Sequence, residues 1–534
     1  MVHARKPGMP PPRLTAVVTA AVAAALLGGC SNGDGNQPQD DSRSPGNGAT
    51  VSKRYPPAAA PRTIPSVRDF DPGSGPGWKP EKGSRVVTDP KGPLADEARM
   101  LAGELKIKTA APPAKAGDVE LALRPKQRGG SEAYKLVTRD GRVAITGAGE
   151  AGVFYGTRTA VQALRSGEQL PEGVINDAPD RPQRGFQLDT ARKHFSADWI
   201  KARMRQLADL KLNQLGLHFS DDQGFRIESS SHPEIVSDDH LTKAEVRSIL
   251  ELAKQLHITV IPEIDSPGHL GAVIAAHPDL QLVSAKGNPA RGAVDITKPE
   301  ASKIVDDLLR EYADLFPGPY MHIGADEYQA LMTEDPEASY PQLAAAAREK
   351  YGSGATVQDL ATGWLNDRAA VVRKAGKKAK AWNDGFFADG KVSPDKSIEV
   401  EYWTGKEIGK RQPSEYLKEG RTVVNLNDEY LYYVLGEPNE FTYPTGERIY
   451  KEWTPAVLRG SEATTVAPTG PDKVPGGRFA VWADLAGSQT PAQVAEGIRL
   501  PLAATAQKLW DPGKPPLSWP AFVKLANQLV PAES

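Results

Sequence analysis

Short apolar runs alternate with amphipathic stretches along the chain from residue 184 onward. Eight runs predict β-strands, at 185–188, 214–218, 259–264, 320–323, 380–382, 398–402, 422–426 and 479–482. Helices fit between most of them. The stretch 198–211 places Ile200, Met204, Leu207 and Leu210 on one stripe, as in a helix packed on a sheet. Eight strand and helix units over roughly three hundred residues predict a TIM (β/α)8 barrel at 181–510 rather than an open doubly wound sheet.

The region 64–180 has a different order of predicted strands and helices. Short β-like runs at 85–88, 119–123, 134–138 and 142–146 mix with helical stretches at 95–105 and 152–164. This mixture predicts a small α+β accessory domain in front of the barrel. Residues 511–534 are predicted to form a C-terminal extension that packs on the barrel. A chain of 534 residues is long enough to bury a core in each domain.

The first thirty residues combine Arg5, Lys6 and Arg13 with an apolar run that ends in Leu-Gly-Gly-Cys at Cys30. This arrangement predicts a signal peptide over 1–30 and looks like a bacterial lipobox, in which the cysteine is lipidated and becomes the mature N-terminus. An ordinary signal peptide that ends near a cysteine is the alternative. The apolar run is short for a bilayer, so acyl groups would hold the protein at the membrane.

Residues 31–63 are rich in Gly, Asn, Asp, Ser and Pro, which predicts a disordered tether after the signal. We therefore expect an extracellular protein that is lipid-anchored to the cell membrane through Cys30. The 65 basic residues nearly balance the 67 acidic ones, giving a formal net charge of −2, so nucleic acid is not an expected partner. Cys30 is the only cysteine, which excludes an internal disulfide.

In a TIM barrel the residues that follow the strands meet at one face, where the chemistry takes place. Apolar sugar faces stack on indole rings, and carboxyl groups act on hydroxyls and on the leaving oxygen. Acids and aromatics occupy the strand ends here, so the pattern predicts a carbohydrate site. The positions are Asp189, Arg192, Asp221, Asp222, Asp265, His269, Asp326, Glu327, Trp382, Asp384, Trp403, Tyr430, Trp482 and Asp484.

Two other patterns suggest different chemistry. The run Gly-Ala-Gly-Glu-Ala-Gly at 147–152 fits a dinucleotide fingerprint, but no second strand ending in an acid follows at the required distance. A tight strand-to-helix turn is the better interpretation. The sequence has no closely spaced histidine pair and no HExxH motif, so we expect no catalytic metal and no cofactor. The metal-ligating types near the strand ends are His218, Asp221, Asp265, His269 and His322.

Four segments carry a resemblance to a known family: RGFQLDTAR from Arg184, HFSDDQGFR from His218, PEIDSPGH from Pro262 and HIGADE from His322. With the AW, EYW and VW ends of later strands, they resemble the hexosaminidases of glycoside hydrolase family twenty. GVFYGTRTAVQAL in the smaller domain is similar to that family's accessory domain. The resemblance implies an exo-β-N-acetylhexosaminidase that removes terminal β-linked GlcNAc from oligosaccharides, with GalNAc left open.

Carried over residue by residue, the resemblance implies a role for each position. Glu327 would be the general acid/base, Asp326 would orient the acetamido group, and Tyr430 would donate to the acetamido oxygen. Asp221 and His269 would form a supporting hydrogen-bonded pair. The substrate-binding residues would be Arg192 and Asp484, on sugar hydroxyls, and Trp382, Trp403 and Trp482, around the acetamido methyl.

The chemistry of these residue types agrees with a substrate-assisted, retaining route. The acetamido oxygen can attack the anomeric carbon from within the same molecule. An ionised Asp326 would stabilise the charge on the acetamido nitrogen, and it is expected to raise the pKa of Glu327 and keep that acid protonated. Adjacent strand residues point to opposite faces, so both acids can line the site only if the strand has already ended.

Three positions depart from the family pattern. Ala325 stands where a second glycine is usual, Tyr432 falls where many members carry an acid, and Asp484 replaces a usual glutamate. The last two changes concern the far hydroxyls of the sugar. They keep open a related specificity, such as release of a disaccharide by a lacto-N-biosidase-like enzyme or degradation of a GlcNAc polymer. A sugar-binding lipoprotein without activity is a further alternative, which the pair of acids disfavours.

Overall fold

The computed structural model describes residues 54–167, 169–405 and 411–530. The predicted signal peptide, Cys30 and most of the predicted tether lie outside these residues. Within the part of the chain that the structure describes, no helix is both long and apolar enough to cross a membrane. Residues from Arg54 onward form one compact unit that holds both predicted domains.

The N-terminal domain is a seven-stranded mixed sheet with two helices. Its strand order is β1-β7-β5-β6-β4-β2-β3, and α2 lies against the sheet next to α1. The predicted α+β class is confirmed; β1, β3 and β7 were not predicted. The elements are β1 (Asp69–Pro72), β2 (Arg85–Val87), α1 (Ala95–Leu105), β3 (Lys108–Ala110), β4 (Val119–Leu123), β5 (Tyr134–Arg139), β6 (Arg142–Gly147), α2 (Glu150–Ser166) and β7 (Gly173–Asp177).

The last part of the predicted tether belongs to this domain. The Ala58 amide donates to the carbonyl of Gly73 at 2.9 Å, and the Ser166 hydroxyl donates to the carbonyl of Arg62 at 2.7 Å. Thr63 is buried. The boundary at residue 63 is therefore corrected, because backbone groups from residue 58 onward find partners in the folded domain.

The second domain is a closed barrel of eight parallel strands, which confirms the predicted fold. The barrel closes where Asn425 pairs with Gly477, so the last strand lies between the first and the seventh. Each of the eight predicted strands overlaps an observed one. The barrel strands are β8 (Gln183–Asp189), β9 (Gln214–His218), β12 (Thr259–Glu263), β15 (Tyr320–His322), β16 (Lys378–Trp382), β17 (Glu399–Tyr402), β18 (Val423–Asn425) and β20 (Gly476–Trp482).

Helices cover the outside of the barrel. In the first of them Ile200, Met204 and Leu207 are buried, because their spacing puts them on the stripe that faces the strands. Residues 383–398, between β16 and β17, form a turn and loop instead of an α-helix. The helices are α3 (Ala197–Asp209), α4 (Lys243–Gln255), α5 (Gly271–Ala276), α6 (Pro299–Leu315), α7 (Pro336–Ser339), α8 (Pro341–Tyr351), α9 (Val357–Lys374), α10 (Pro413–Lys418), α11 (Asp428–Leu431), α12 (Gly446–Glu452) and α13 (Pro491–Trp510).

Five short strands lie in the loops at the carboxyl ends of the barrel strands. They are β10 (Ser220–Asp221), β11 (Gly224–Phe225), β13 (Gln281–Val283), β14 (Pro289–Val294) and β19 (Tyr432–Val434). The last of them runs parallel to β20, with Tyr432 opposite Ala480 and Val434 opposite Trp482. It therefore extends the sheet above the seventh strand, at the face where the site residues were predicted.

Charged side chains cross from the barrel into the N-terminal domain. The fully buried guanidinium of Arg184 binds both carboxylate oxygens of Glu132, at 3.0 and 2.9 Å. The buried ammonium of Lys211 donates to Thr159 at 2.7 Å and lies 3.7 Å from Asp177. Removing one partner of such a buried pair typically costs about 3–5 kcal/mol, because the remaining charge loses its compensation. These pairs hold the two domains in register.

The C-terminal extension contains helix α14 (Trp519–Leu529). Its Phe522 packs on Tyr450 of α12, with ring centroids 4.3 Å apart. At the other end Gln528 donates to the carbonyl of Arg165 in α2 at 2.6 Å. The prediction of packing on the barrel was thus incomplete, since the helix bridges the barrel and the N-terminal domain.

Candidate active site

A cavity of about 820 Å³ opens at the carboxyl ends of the barrel strands. Acids and aromatics from separate strand ends meet in it, as the alternating pattern predicted. Eight of the ten predicted catalytic and substrate-binding residues line it: Arg192, Asp221, His269, Asp326, Glu327, Trp403, Trp482 and Asp484. Trp382 and Tyr430 lie outside the lining.

Asp326 and Glu327 both face the cavity because strand β15 ends at His322. The chain then turns through left-handed backbone, with φ of +72° at Gly324, +83° at Ala325 and +43° at Glu327. These turns replace the strict alternation of a strand. A side chain at Gly324 would put its Cβ 1.5 Å from the Asp265 carboxylate, so the glycine is required there. Ala325 holds a conformation that a glycine adopts more easily.

The predicted pair of Asp221 and His269 is present. The Asp221 carboxylate lies 3.0 Å from His269 Nδ1, and the Nε2 atom on the opposite side of the ring lies 3.4 Å from Glu327 and 3.6 Å from Asp326. Burial opposes a charged imidazole, but the carboxylates of Asp326 and Asp221 raise the pKa of His269 well above its usual value. The imidazole thus connects a buried carboxylate to both acids of the site.

The pKa of Glu327 shifts in the direction opposite to the expectation. The contact with the His269 imidazole lowers this pKa, and burial opposes the shift only in part. His269 Nε2 lies 3.4 Å from the Glu327 oxygen, so the charged imidazole favours the ionised form of this acid. The protonation of each group therefore affects the pKa of the other.

Arg192 is fixed at the edge of the cavity by two carboxylates. Its guanidinium binds Asp189 at 2.9 Å and Asp221 at 2.8 Å, and it lies 5.8 Å from the ring centroid of Trp482. Burial opposes its charge, but Asp189 and Asp221 raise the pKa of Arg192 further above its usual value. Burial raises the pKa of the nearby Asp484. The two side chains present a donor and an acceptor to the cavity.

Three aromatic rings form one wall. Trp403 and Tyr432 stack with centroids 5.7 Å apart and an interplanar angle of 4°, and Tyr432 lies 5.6 Å from Trp482. Trp382 packs behind this wall, 5.7 Å from Trp482, and its indole N–H donates to Glu263 at 2.8 Å. Trp382 therefore supports the wall from the protein interior.

The structure corrects the prediction for Tyr430. This residue lies on the short helix α11, where its hydroxyl donates to Glu452 at 3.1 Å and the guanidinium of Arg448 covers its ring at 4.2 Å. Tyr432 begins β19 and faces the cavity instead. Burial and the Asp326 carboxylate raise the pKa of Tyr432 well above its usual value, so its hydroxyl keeps its proton.

The sequence analysis named Asp384 at a strand end but did not predict that it links the aromatic wall to the acid pair. One of its carboxylate oxygens accepts from the indole N–H of Trp403 at 2.8 Å, and the other accepts from the Glu327 amide at 3.4 Å. Burial and the Asp326 charge raise the pKa of Asp384 well above its usual value. It links the aromatic wall to the backbone of the acid pair. Its position after Trp382 at a strand end was the available signal.

The floor of the cavity contains the metal-ligating types considered from the sequence. His218 bonds Asp221 at 3.3 Å and Glu263 at 3.1 Å, and Glu263 also accepts from Gln187 at 2.6 Å. Protein donors therefore already surround Glu263. A metal-independent site stays a prediction.

Paired acids and an aromatic wall at the top of a TIM barrel form an arrangement typical of glycoside hydrolases. The model of the glycosyl hydrolase family 20 catalytic domain matches residues 182–513, and that of domain 2 of the same family matches residues 60–178. The chain belongs to glycosyl hydrolase family 20, and the family predicted from the sequence is confirmed.

Proteins similar to this chain include a lacto-N-biosidase and several β-hexosaminidases. A lacto-N-biosidase of Bifidobacterium bifidum is 31% identical over 512 residues, covering 94% of this chain, and a β-hexosaminidase of Porphyromonas gingivalis is 29% identical over 321 residues, covering 54%. The chain spans 44% and 39% of the lengths of these two relatives. A β-hexosaminidase variant of Streptomyces plicatus, solved with the product GlcNAc, shares the fold with a TM-score of 0.71 at 24% identity, over 89% of this chain and 95% of its own.

We expect Tyr432→Phe to slow hydrolysis of an aryl N-acetylglucosaminide about 100-fold, the usual effect of removing one donor from a preorganised site. Tyr430→Phe is the matched control and should change the rate less than about threefold, because its hydroxyl bonds outside the cavity. Steady-state kcat and KM of both variants check this. A larger loss in Tyr430→Phe would restore the original prediction for Tyr430.

Proposed function

We propose that this protein is an exo-β-N-acetylhexosaminidase that removes terminal β-linked GlcNAc, with GalNAc as a further candidate, from oligosaccharides. The observation that carries the proposal is the convergence of Asp326 and Glu327 on one cavity beside the wall of Trp403, Tyr432 and Trp482. A protein that only binds sugar has no use for two adjacent acids joined to a buried imidazole.

In the proposed first step the substrate supplies its own nucleophile. The acetamido methyl rests against the aromatic wall, and the acetamido oxygen attacks the anomeric carbon. Tyr432 donates to that oxygen and fixes its direction. Asp326 lines the same cavity and stabilises the positive charge that develops on the acetamido nitrogen.

Glu327 protonates the leaving oxygen in the same step. His269 lies 3.4 Å from its carboxylate and is positioned to relay a proton to it, and Asp221 bonds the opposite ring nitrogen and favours the charged imidazole. When the glycosidic oxygen approaches, His269, Glu327 and that oxygen share the proton. In the second step Glu327 removes a proton from the water that opens the cyclic intermediate.

Arg192 and Asp484 bind the sugar hydroxyls. Arg192 cannot swing freely, because two carboxylates hold its guanidinium, so it offers donors in a fixed direction. The raised pKa of Asp484 accompanies its burial beside that cation. A fixed donor and a short acceptor select the position of the ring before the reaction starts.

Release of a disaccharide is the second candidate function. A cavity of about 820 Å³ has room for more than one sugar ring, and its lining also includes Val434, Pro438, Phe441 and Leu485. The similar B. bifidum protein is a lacto-N-biosidase. Aryl glycosides of GlcNAc and of lacto-N-biose, compared at equal concentration, separate the two candidates by their kcat/KM.

The proposed reaction is tested with a matched pair of substrates, an aryl β-glucoside and an aryl β-N-acetylglucosaminide. For the disaccharide-releasing alternative, the pair is an aryl lacto-N-bioside and its counterpart without the acetamido group. We expect the substrate without the acetamido group to be almost inert, because it has lost the attacking oxygen and not merely a contact. A thiazoline that mimics the cyclic intermediate should inhibit tightly. Comparable rates on both substrates, or a sugar trapped covalently on Asp326, would refute substrate assistance.

Glu327→Gln is expected to fold normally and to lose about two to four orders of magnitude in turnover, the usual contribution of a positioned general acid. Dinitrophenyl leaving groups, which need no protonation, serve as the internal control and should lose much less. Rates with a graded series of phenols measure the difference. Near-wild-type turnover on the poorest leaving group contradicts the assignment.

We also propose that the protein is lipid-anchored outside the cell through Cys30, on the sequence Leu27-Gly28-Gly29-Cys30 alone. Cys30→Ala should leave the specific activity unchanged, because the residue lies far along the chain from the site residues. It should move the protein from the membrane fraction into the medium or leave the signal uncleaved. Fractionation followed by mass determination reads this out, and unchanged membrane association removes the lipid anchor from the proposal.

A further inference from the structure

Three groups of acidic and imidazole side chains in the described residues bring their ligand atoms within 4.8 Å of one another. Two of these groups share Asp265 and belong to the floor of the active site. The third consists of His232, Glu234 and His277, on loops outside the cavity lining. The reaction proposed above uses none of these three residues, so their convergence needs a separate explanation.

The three side chains come from two different barrel connections. His232 and Glu234 flank Pro233 in the loop that follows β11, and His277 directly follows the end of α5. His232 Nδ1 and His277 Nε2 each lie 3.0 Å from the same carboxylate oxygen of Glu234. One acceptor oxygen thus sits between two imidazole nitrogens from separate loops.

This spacing is close to that of a tetrahedral metal site. Ligand atoms about 2.0–2.1 Å from a zinc ion, at tetrahedral angles, lie roughly 3.3 Å from one another. The two separations that involve Glu234 are 3.0 Å, and the two imidazole nitrogens lie within 4.8 Å of each other, so the three atoms are close enough to bind one ion after a small adjustment. Imidazole and carboxylate are ligand types that zinc prefers.

The surroundings of the second ring nitrogen of His232 also fit a metal-ligating histidine. The other ring nitrogen of His232, Nε2, is buried and lies 3.5 Å from the carboxylate of Asp307 on α6. Metal-ligating histidines generally present their second nitrogen to a carboxylate or carbonyl, which fixes the ring and its tautomer. Asp307 is itself held by Lys303 at 2.7 Å and Arg310 at 3.0 Å, so the ring of His232 has a preset orientation.

We propose that His232, Glu234 and His277 form a zinc site that fastens the loop after β11 to the end of helix α5. Three protein ligands leave the fourth position to solvent, and Glu234 and His277 are 41% and 28% exposed, so the ion can enter from outside. The helix held in this way begins two residues after His269, the imidazole of the active site. The ion is structural and takes no part in the reaction.

The experiment is equilibrium dialysis of the full chain against Zn²⁺ alone, with bound metal measured by mass spectrometry. We expect one zinc per chain that Glu234→Gln, His232→Asn and His277→Asn each lose, and roughly tenfold weaker binding in Asp307→Asn, the usual effect of removing a supporting carboxylate. Zinc bound in the active-site floor would persist in all four variants, so the difference from wild type isolates this site.

His240→Asn is the matched control. This variant removes the imidazole of His240 from the same loop, where its Nδ1 lies near two backbone carbonyls, at 2.8 and 3.1 Å, and it should bind zinc like the wild type.

Zinc at about a hundred times its dissociation constant should raise the melting temperature of the wild type and of His240→Asn by on the order of 3 °C, and that of Glu234→Gln by much less. Equal zinc content in wild type and Glu234→Gln, or none in the wild type, would overturn the proposal and leave two hydrogen bonds to Glu234 as the whole interaction.

Discussion

One carboxylate oxygen of Asp221 receives three cationic or imidazole groups beneath the cavity. Arg192 lies at 2.8 Å, His269 at 3.0 Å and His218 at 3.3 Å from it. Burial opposes the charge of this carboxylate, yet His269 and its other neighbours hold its pKa far below the usual value. Because a buried anion needs all of these partners, the orientations of the Arg192 guanidinium and of the imidazole beside Glu327 depend on the same oxygen atom.

The strands of the barrel were predictable because a parallel strand buried on both faces is a short apolar run between loops. The stripe on α3 was predictable for the same reason, since burial repeats with the period of the helix. Sequence patterns were less informative at the edges of the N-terminal sheet. β1 and β3 are exposed edge strands, so their side chains carry no clear apolar signal.

Most of the site was predictable because each residue follows a strand, and strand ends meet in a barrel. Tyr432 was misjudged because β19 is an additional strand of three residues, outside the eightfold repeat. Its alternation puts Tyr432 and Val434 toward the cavity and Tyr433 away from it, stacked on Tyr443 at 4.2 Å. The pKa of Glu327 could not be inferred from Asp326 alone, since the opposing contact comes from His269, 58 positions earlier in the sequence.

The charged contacts between the domains determine where the chain can be divided without loss of stability. Arg184 begins the first site motif, RGFQLDTAR, yet its guanidinium has its carboxylate partner, Glu132, in the N-terminal domain. Lys211, at the end of the first barrel helix, likewise reaches Thr159 in α2. A barrel cut at the boundary between the two family matches would carry two buried cations stripped of these partners. Two domains that are recognised separately in the sequence therefore depend on each other for stability, and a graft of this barrel must carry the accessory sheet with it.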